Sequence, residues 1–163
     1  MTEIINNYLS PTNFTISVER LPNVEFFTQK ASVPSINTSP VLMNSPLGEL
    51  FRPGQTLSYG DLVLGFIVDE NMNNYREVLQ WLEGISGPES TNQTKALMEG
   101  DGFTSDIILT ITNSHKNPHV RFIFQDCFPT SLGEISLDVN VTDVSYATCN
   151  VTFRYDIFKM EQL

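Results

Sequence analysis

Residues 144–158, VSYATCNVTFRYDIF, alternate without interruption, with Ala147, Cys149, Val151, Phe153, Tyr155 and Ile157 on one side and Tyr146, Thr148, Asn150, Thr152, Arg154 and Asp156 on the other. A period of two places each set on one face of a strand, so the stretch predicts a β-strand with one face in a core. At about fifteen residues it is far longer than the usual ~5–6, which predicts a strand shared by a sheet that bends or closes.

The rest of the chain is read around that strand. NFTISVE (13–19) alternates Phe14, Ile16 and Val18 against polar partners and predicts a half-buried strand. Leu21-Pro22-Asn23 supplies turn chemistry, and Val24 to Val33 reads as the partner strand of a hairpin, closed by Pro34. Leu62 to Val68 is a continuous apolar run of strand length. Ser105–Thr112 and Val120–Gln125 form a second hairpin about the turn 113–118. Between them, Met72, Tyr75, Val78, Leu79, Leu82 and Ile85 recur at helical spacing and predict one helix, Asn73 to Glu83. Asn71, Asn73 or Asn74 can cap its start, and Gly84 suits its end. Trp81 borders that stripe and is assigned to packing.

Two segments carry no sustained period. One, 35–60, is rich in Pro and Gly and reads as a long loop, yet it holds Val41, Leu42, Met43, Leu47, Leu50 and Phe51 beside Pro40. Loops of that length are usually functional or disordered, and so much apolar surface needs either the chain's own domain or a neighbouring chain to pack on. The other, about 86–103, is polar and reads as an exposed loop with a short helical turn at Thr94 to Met98.

With 163 residues the chain is expected to form one domain, 1–163. The formal net charge is −10, and no run of Lys or Arg exceeds one residue, which argues against a protein that grips phosphate backbones. No basic segment followed by an apolar core opens the sequence, and no run of about 18 apolar residues occurs, so neither secretion nor membrane anchoring is indicated. Cys127 and Cys149 fall in no C-x-x-C pair and read as two half-buried thiols on neighbouring strands, with a structural disulfide as the alternative.

The stretch from Asp126 to Asp138, DCFPTSLGEISLD, collects reactive residue types. Cys127 or Ser131 with His115 or His119 would be a nucleophile and base, but no nucleophile elbow, phosphate loop or H-E-x-x-H accompanies them. His115 and His119 have metal spacing only on a helix, which Pro118 forbids; Glu134, Asp138 and Asp143 lack the calcium-loop pattern. No catalytic, cofactor or metal site is expected. The stretch reads as a structural corner, in which Asp126 and Cys127 close one strand, Phe128, Pro129 and Gly133 turn the chain, and Ile135 and Leu137 alternate back into a sheet.

The motif aromatic-Pro-Thr-x-x-Gly-Glu-Ile-x-Leu-Asp, present as Phe128-Pro129-Thr130, Gly133-Glu134-Ile135 and Leu137-Asp138, precedes a long alternating strand. Ala31-Ser32-Val33-Pro34 follows the early strands, and Tyr75 to Trp81 mark the helix. In these features the chain resembles the tail tube proteins of contractile-tailed bacteriophages of the T-even type, over most of its length. Its helix end and residues 87–102 depart from that pattern.

The resemblance implies a mainly β, antiparallel two-sheet sandwich or barrel with one flanking helix. Six copies would join their inner sheets into a ring, and rings would stack into a hollow tube that passes double-stranded DNA. Its partners would be further copies of itself, the tail sheath protein, the baseplate hub or initiator and the tail terminator, with the protein made in the host cytoplasm and carried in the virion. The loop 35–60 would be the contact between subunits or rings, and Thr148, Asn150, Thr152 and Asp156 would line the lumen or the outer surface. A tube initiator or cap at the baseplate or neck, and the tube of a tailocin or type VI-like secretion machine, share this pattern. A monomeric carbohydrate-binding sandwich is the rival of a different class.

Overall fold

The computed structural model describes residues 8–46, 48–87, 92, 95, 102–140 and 145–163. Two long strand runs lie side by side and bend together. β9 (Pro118–Leu132) is fifteen residues long, and along one edge it pairs antiparallel first with β11 (Ile157–Gln162) and then with β10 (Thr148–Arg154). The alternating run at the C-terminus is therefore a strand interrupted at Tyr155-Asp156, starting at Thr148 rather than at Val144. Val144 itself lies outside the described residues.

The interruption sits beside a bulge in β9. Ser105 pairs with Cys127 and Ile107 with Phe124, so two residues of β9 face one of β8 (Ser105–Thr112). Asp126 takes the extra position at φ +57, a left-handed conformation that Asp tolerates better than most residues. Its N–H donates to Asp106 Oδ1 at 3.1 Å, and its own carboxylate accepts from Thr104 Oγ1 at 3.2 Å.

This bend turns one hydrogen-bonded sheet into two layers. The first, sheet A, runs β1 (Phe14–Val18), β8, the first half of β9, β11. The second, sheet B, runs the second half of β9, β10, β7 (Leu62–Ile67), β2 (Thr28–Ser32). Between them lies one core, with Val18, Leu64, Phe66, Ile107, Phe124, Val151 and Phe153 fully buried. The two-sheet antiparallel architecture expected above is the observed one.

The expected strand from Val24 to Val33 divides in two. Pro22 occupies the first turn of a six-residue helix, α1 (Pro22–Phe27), before β2 begins. Pro is pre-organised for that position, and Val24 fixes the helix by burying fully against the core. α2 (Asn73–Ser86) runs three residues past its expected end and packs against β9. Its Trp81 is in the core beside Phe153, its Nε1–H donating to Phe103 O at 2.9 Å, and Arg20 lies over the ring.

The start of α2 is set by Asn74, a fully buried polar residue. Its Nδ2 donates to Ile67 O at 2.7 Å and its Oδ1 accepts the N–H of Asp69, tying the end of β7 to the helix. Asn74, inside the helix, thus anchors the helix start to the strand before it. Met72 occupies the N-cap position in left-handed geometry with no side-chain hydrogen bond. The helical turn expected at Thr94 to Met98 lies outside the described residues except for Lys95, which is helical and exposed.

Candidate assembly surface

The segment expected to be an unstructured loop is a β-arm. β3 (Ile36–Thr38) pairs with β6 (Leu57–Tyr59) at its root, and β4 (Val41–Ser45) pairs with β5 (Gly48–Arg52) at its tip. Each pair is a separate two-stranded sheet that joins neither main layer.

The root is anchored by aromatic packing. Tyr59 contacts Tyr155 and Phe158, which continue into Phe122 and Phe124 of the core. Tyr155 Oη–H donates to Gly60 O at 2.9 Å, and Arg154 Nη1 holds Asp61 at 2.7 Å. The elbow between root and tip requires glycine, because a Cβ on Gly54 would overlap the carbonyl oxygen of Ser39 across the arm. Proline and glycine in this segment therefore shape an arm that projects from a fixed base.

The tip is unusual in its faces. Opposed residues of an antiparallel pair share a face, so Met43 and Leu50 lie on one side with Val41, while Leu42 and Phe51 lie on the other. All five are exposed, Phe51 at 69 %. A hairpin with one apolar face could fold back on its own body; one with two must be covered from both sides, and a two-stranded hairpin alone has little stability in water. Pro40 sits at the elbow just before β4. Leu47 lies outside the described residues.

Sheet B offers two further surfaces. β2 ends it on one side and the second half of β9, Phe128–Leu132, on the other, each with an edge unpaired among the described residues. Its outward face is polar and small. Ser32, Val63, Thr152 and Ser131 lie in one cross-strand row, and Lys30, Gly65 and Asn150 in the next.

The corner residues fall differently from expectation. Phe128 and Pro129 lie inside β9, and the chain bends earlier, at Asp126. Pro129 lies opposite Phe153 beside a second bulge, between Thr152 and Phe153, where Thr130 Oγ1 donates to Thr152 O at 3.2 Å; bulges and edge strands are where a sheet tolerates proline. The chain leaves the sheet at Gly133, whose N–H donates to Asn150 O at 2.7 Å. Leu137 does not re-enter a sheet and is exposed, like Val139.

Cys127 and Cys149 are both buried free thiols. Desolvation pushes Cys127 up to about 12 and raises Cys149 above its ordinary value, so neither carries the thiolate a nucleophile needs. His115 and His119 flank the β8–β9 turn, away from the bulge that holds Cys127.

A model of the phage tail tube protein family matches residues 3–161. The chain belongs to that family. The chain is similar to the tail tube terminator protein of Enterobacteria phage T4, 28 % identical over 165 residues that cover 97 % of this chain and 92 % of the relative. The tail tube protein of Serratia phage KSP90 is 29 % identical over 71 % of this chain and 69 % of its own. In three dimensions the chain is similar to the tube-terminating cap of the anti-feeding prophage, with a TM-score of 0.70 and 19 % identity over 98 % of this chain and 94 % of that one. Phage tail tube proteins are structural components of the virion.

For a tail tube protein, the arm, the two sheet edges and the polar face of sheet B are the candidate contact surfaces. The sequence pointed to the arm through its apolar content. It gave no direct sign of the edges, because pairing order between distant strands is not written in any local period, and Gly54 was visible only as part of a Pro-Gly turn.

Proposed function

We propose that this protein is the ring that ends the tube of a contractile phage tail. Six copies close a ring by pairing β2 of one subunit with the Phe128–Leu132 edge of the next, which removes the exposed edges of sheet B. The arm tip inserts between neighbours of its own ring and the last ring of the tube, covering Val41, Met43 and Leu50 on one side and Leu42 and Phe51 on the other. The outward face of sheet B lines the conduit through which double-stranded DNA passes, and the tail sheath and its terminator lie outside the ring.

The observation that carries the terminal position is the match, along nearly the whole of both chains, to the T4 tail tube terminator protein. A repeating tube subunit is the second reading, supported by the Serratia phage relative. The two are separated by adding purified protein to polymerising tube subunits of the same phage and measuring tube lengths in negative stain. A terminator stops growth at one end at substoichiometric amounts. Long tubes built from this chain alone would establish the second reading instead.

A further inference from the structure

The outward face of sheet B has a charge balance opposite to that of the chain. Overall the net charge is −10. On this face Asp61 is neutralised by Arg154, and the strands contribute one other charged side chain, Lys30 on β2, which makes no ion pair among the described residues. The rest of the chain therefore carries eleven surplus carboxylates, and the strands of this face are left with a single uncompensated cation among the described residues.

The position of Lys30 is built rather than incidental. It lies opposite Gly65, with Asn150 on the other flank of the same row. A Cβ at Gly65 would stand 2.9 Å from Asn150 Oδ1 and 3.2 Å from Lys30 Cβ. Glycine therefore leaves a slot over β7 across which the lysine stem and the asparagine amide approach each other, setting a cation beside a neutral hydrogen-bonding group.

We propose that Lys30 is a phosphate contact for duplex DNA, presented once per subunit around the ring. The assignment rests on the reading above that this face of sheet B lines the conduit. Amines spaced one per subunit, with no second basic residue beside them, meet a duplex at a few phosphates and carry no sequence information. They hold the duplex loosely while the face around them, where Asp61 is paired with Arg154, does not repel it. Cation clusters, which would immobilise DNA by releasing many counterions, are absent from this face among the described residues.

The test uses rings purified from the full chain and a short blunt-ended fluorescent duplex, with binding read by anisotropy. Contact with about three phosphates predicts an affinity that falls about 40-fold as salt rises from about 50 to 200 mM. Lys30→Gln should flatten that dependence and Lys30→Glu should abolish binding, while Lys159→Gln, on β11 of the other sheet, should leave it unchanged. Equal losses in Lys30→Gln and Lys159→Gln, or undiminished binding by Lys30→Gln rings, would overturn the proposal with the ring reading intact. Tighter binding of an acidic peptide than of the duplex would overturn DNA as the occupant. Failure of the wild-type chain to form rings in negative stain would instead remove the reading on which the proposal stands.

Discussion

Replacing Phe51 with serine should separate folding from assembly. Phe51 is 69 % exposed on the arm tip and lies opposite Leu42. A phenylalanine offers roughly 200 Å², so about 140 Å² remains to be covered by a neighbour, a gain of about 3.5 kcal/mol per subunit if covering is complete. Partial covering and the residual contact made by serine bring the expected loss to about 2–3 kcal/mol, or roughly 30- to 150-fold in the concentration needed to assemble. Little is lost in the isolated subunit, because the ring packs on nothing in its own core. The assay pairs thermal unfolding of the dilute protein, expected to move by less than about 2 °C, with sedimentation velocity across a concentration series, expected to show the shift. Assembly of Phe51→Ser at wild-type concentration would refute the assignment of the arm. A large fall in melting temperature would show that the arm serves the fold instead.

Other substitutions probe the frame that holds these surfaces. Asn74→Ala leaves the carbonyl of Ile67 and the N–H of Asp69 without their buried partner, and should cost about 2–4 kcal/mol, seen in denaturant unfolding as a lower midpoint with an unchanged slope. Gly54→Ala should displace the arm tip at the elbow and block assembly while leaving the far-ultraviolet spectrum of the body unchanged. Cys127 carries its proton in the folded state up to about pH 12 but releases it near 9.0 when unfolded; the folded form therefore binds more protons between those values, and stability should fall as pH rises above 9. Native protein at pH 8 should accordingly react with a thiol reagent far more slowly at Cys127 than after unfolding in denaturant.

Parts of this structure could be read from local pattern because one physical cause acted alone. Phe14, Ile16 and Val18 alternate since one face of β1 meets the core and the other meets water. The stripe of α2 is equally direct. Where two causes competed, the local pattern misled. Val24, Glu25, Phe26 and Phe27 resemble a strand by composition, but Pro22 starts a helix and Val24 has a place in the core. The arm has no alternation because both its faces carry apolar residues, the observation on which its proposed role as a contact surface rests. Pro129 suggests a turn but stands within β9 beside a bulge, a place where a sheet tolerates proline. At Tyr155-Asp156 the core-facing side switches: Cys149, Val151, Phe153 and Tyr155 are buried before the break, whereas after it Phe158, opposite buried Phe124, packs on the core and Ile157 is exposed, so an alternation carried through to Ile157 places that residue on the wrong face.

The central claim is that this chain assembles into a ring that ends a tube, and electron microscopy of the purified protein, alone and mixed with preformed tubes, tests it most directly. The account predicts closed six-fold rings from the protein alone and one such ring seated at a single end of each tube. A stable monomer at high concentration that binds no tube end would contradict it, as would tubes of indefinite length formed without any other component.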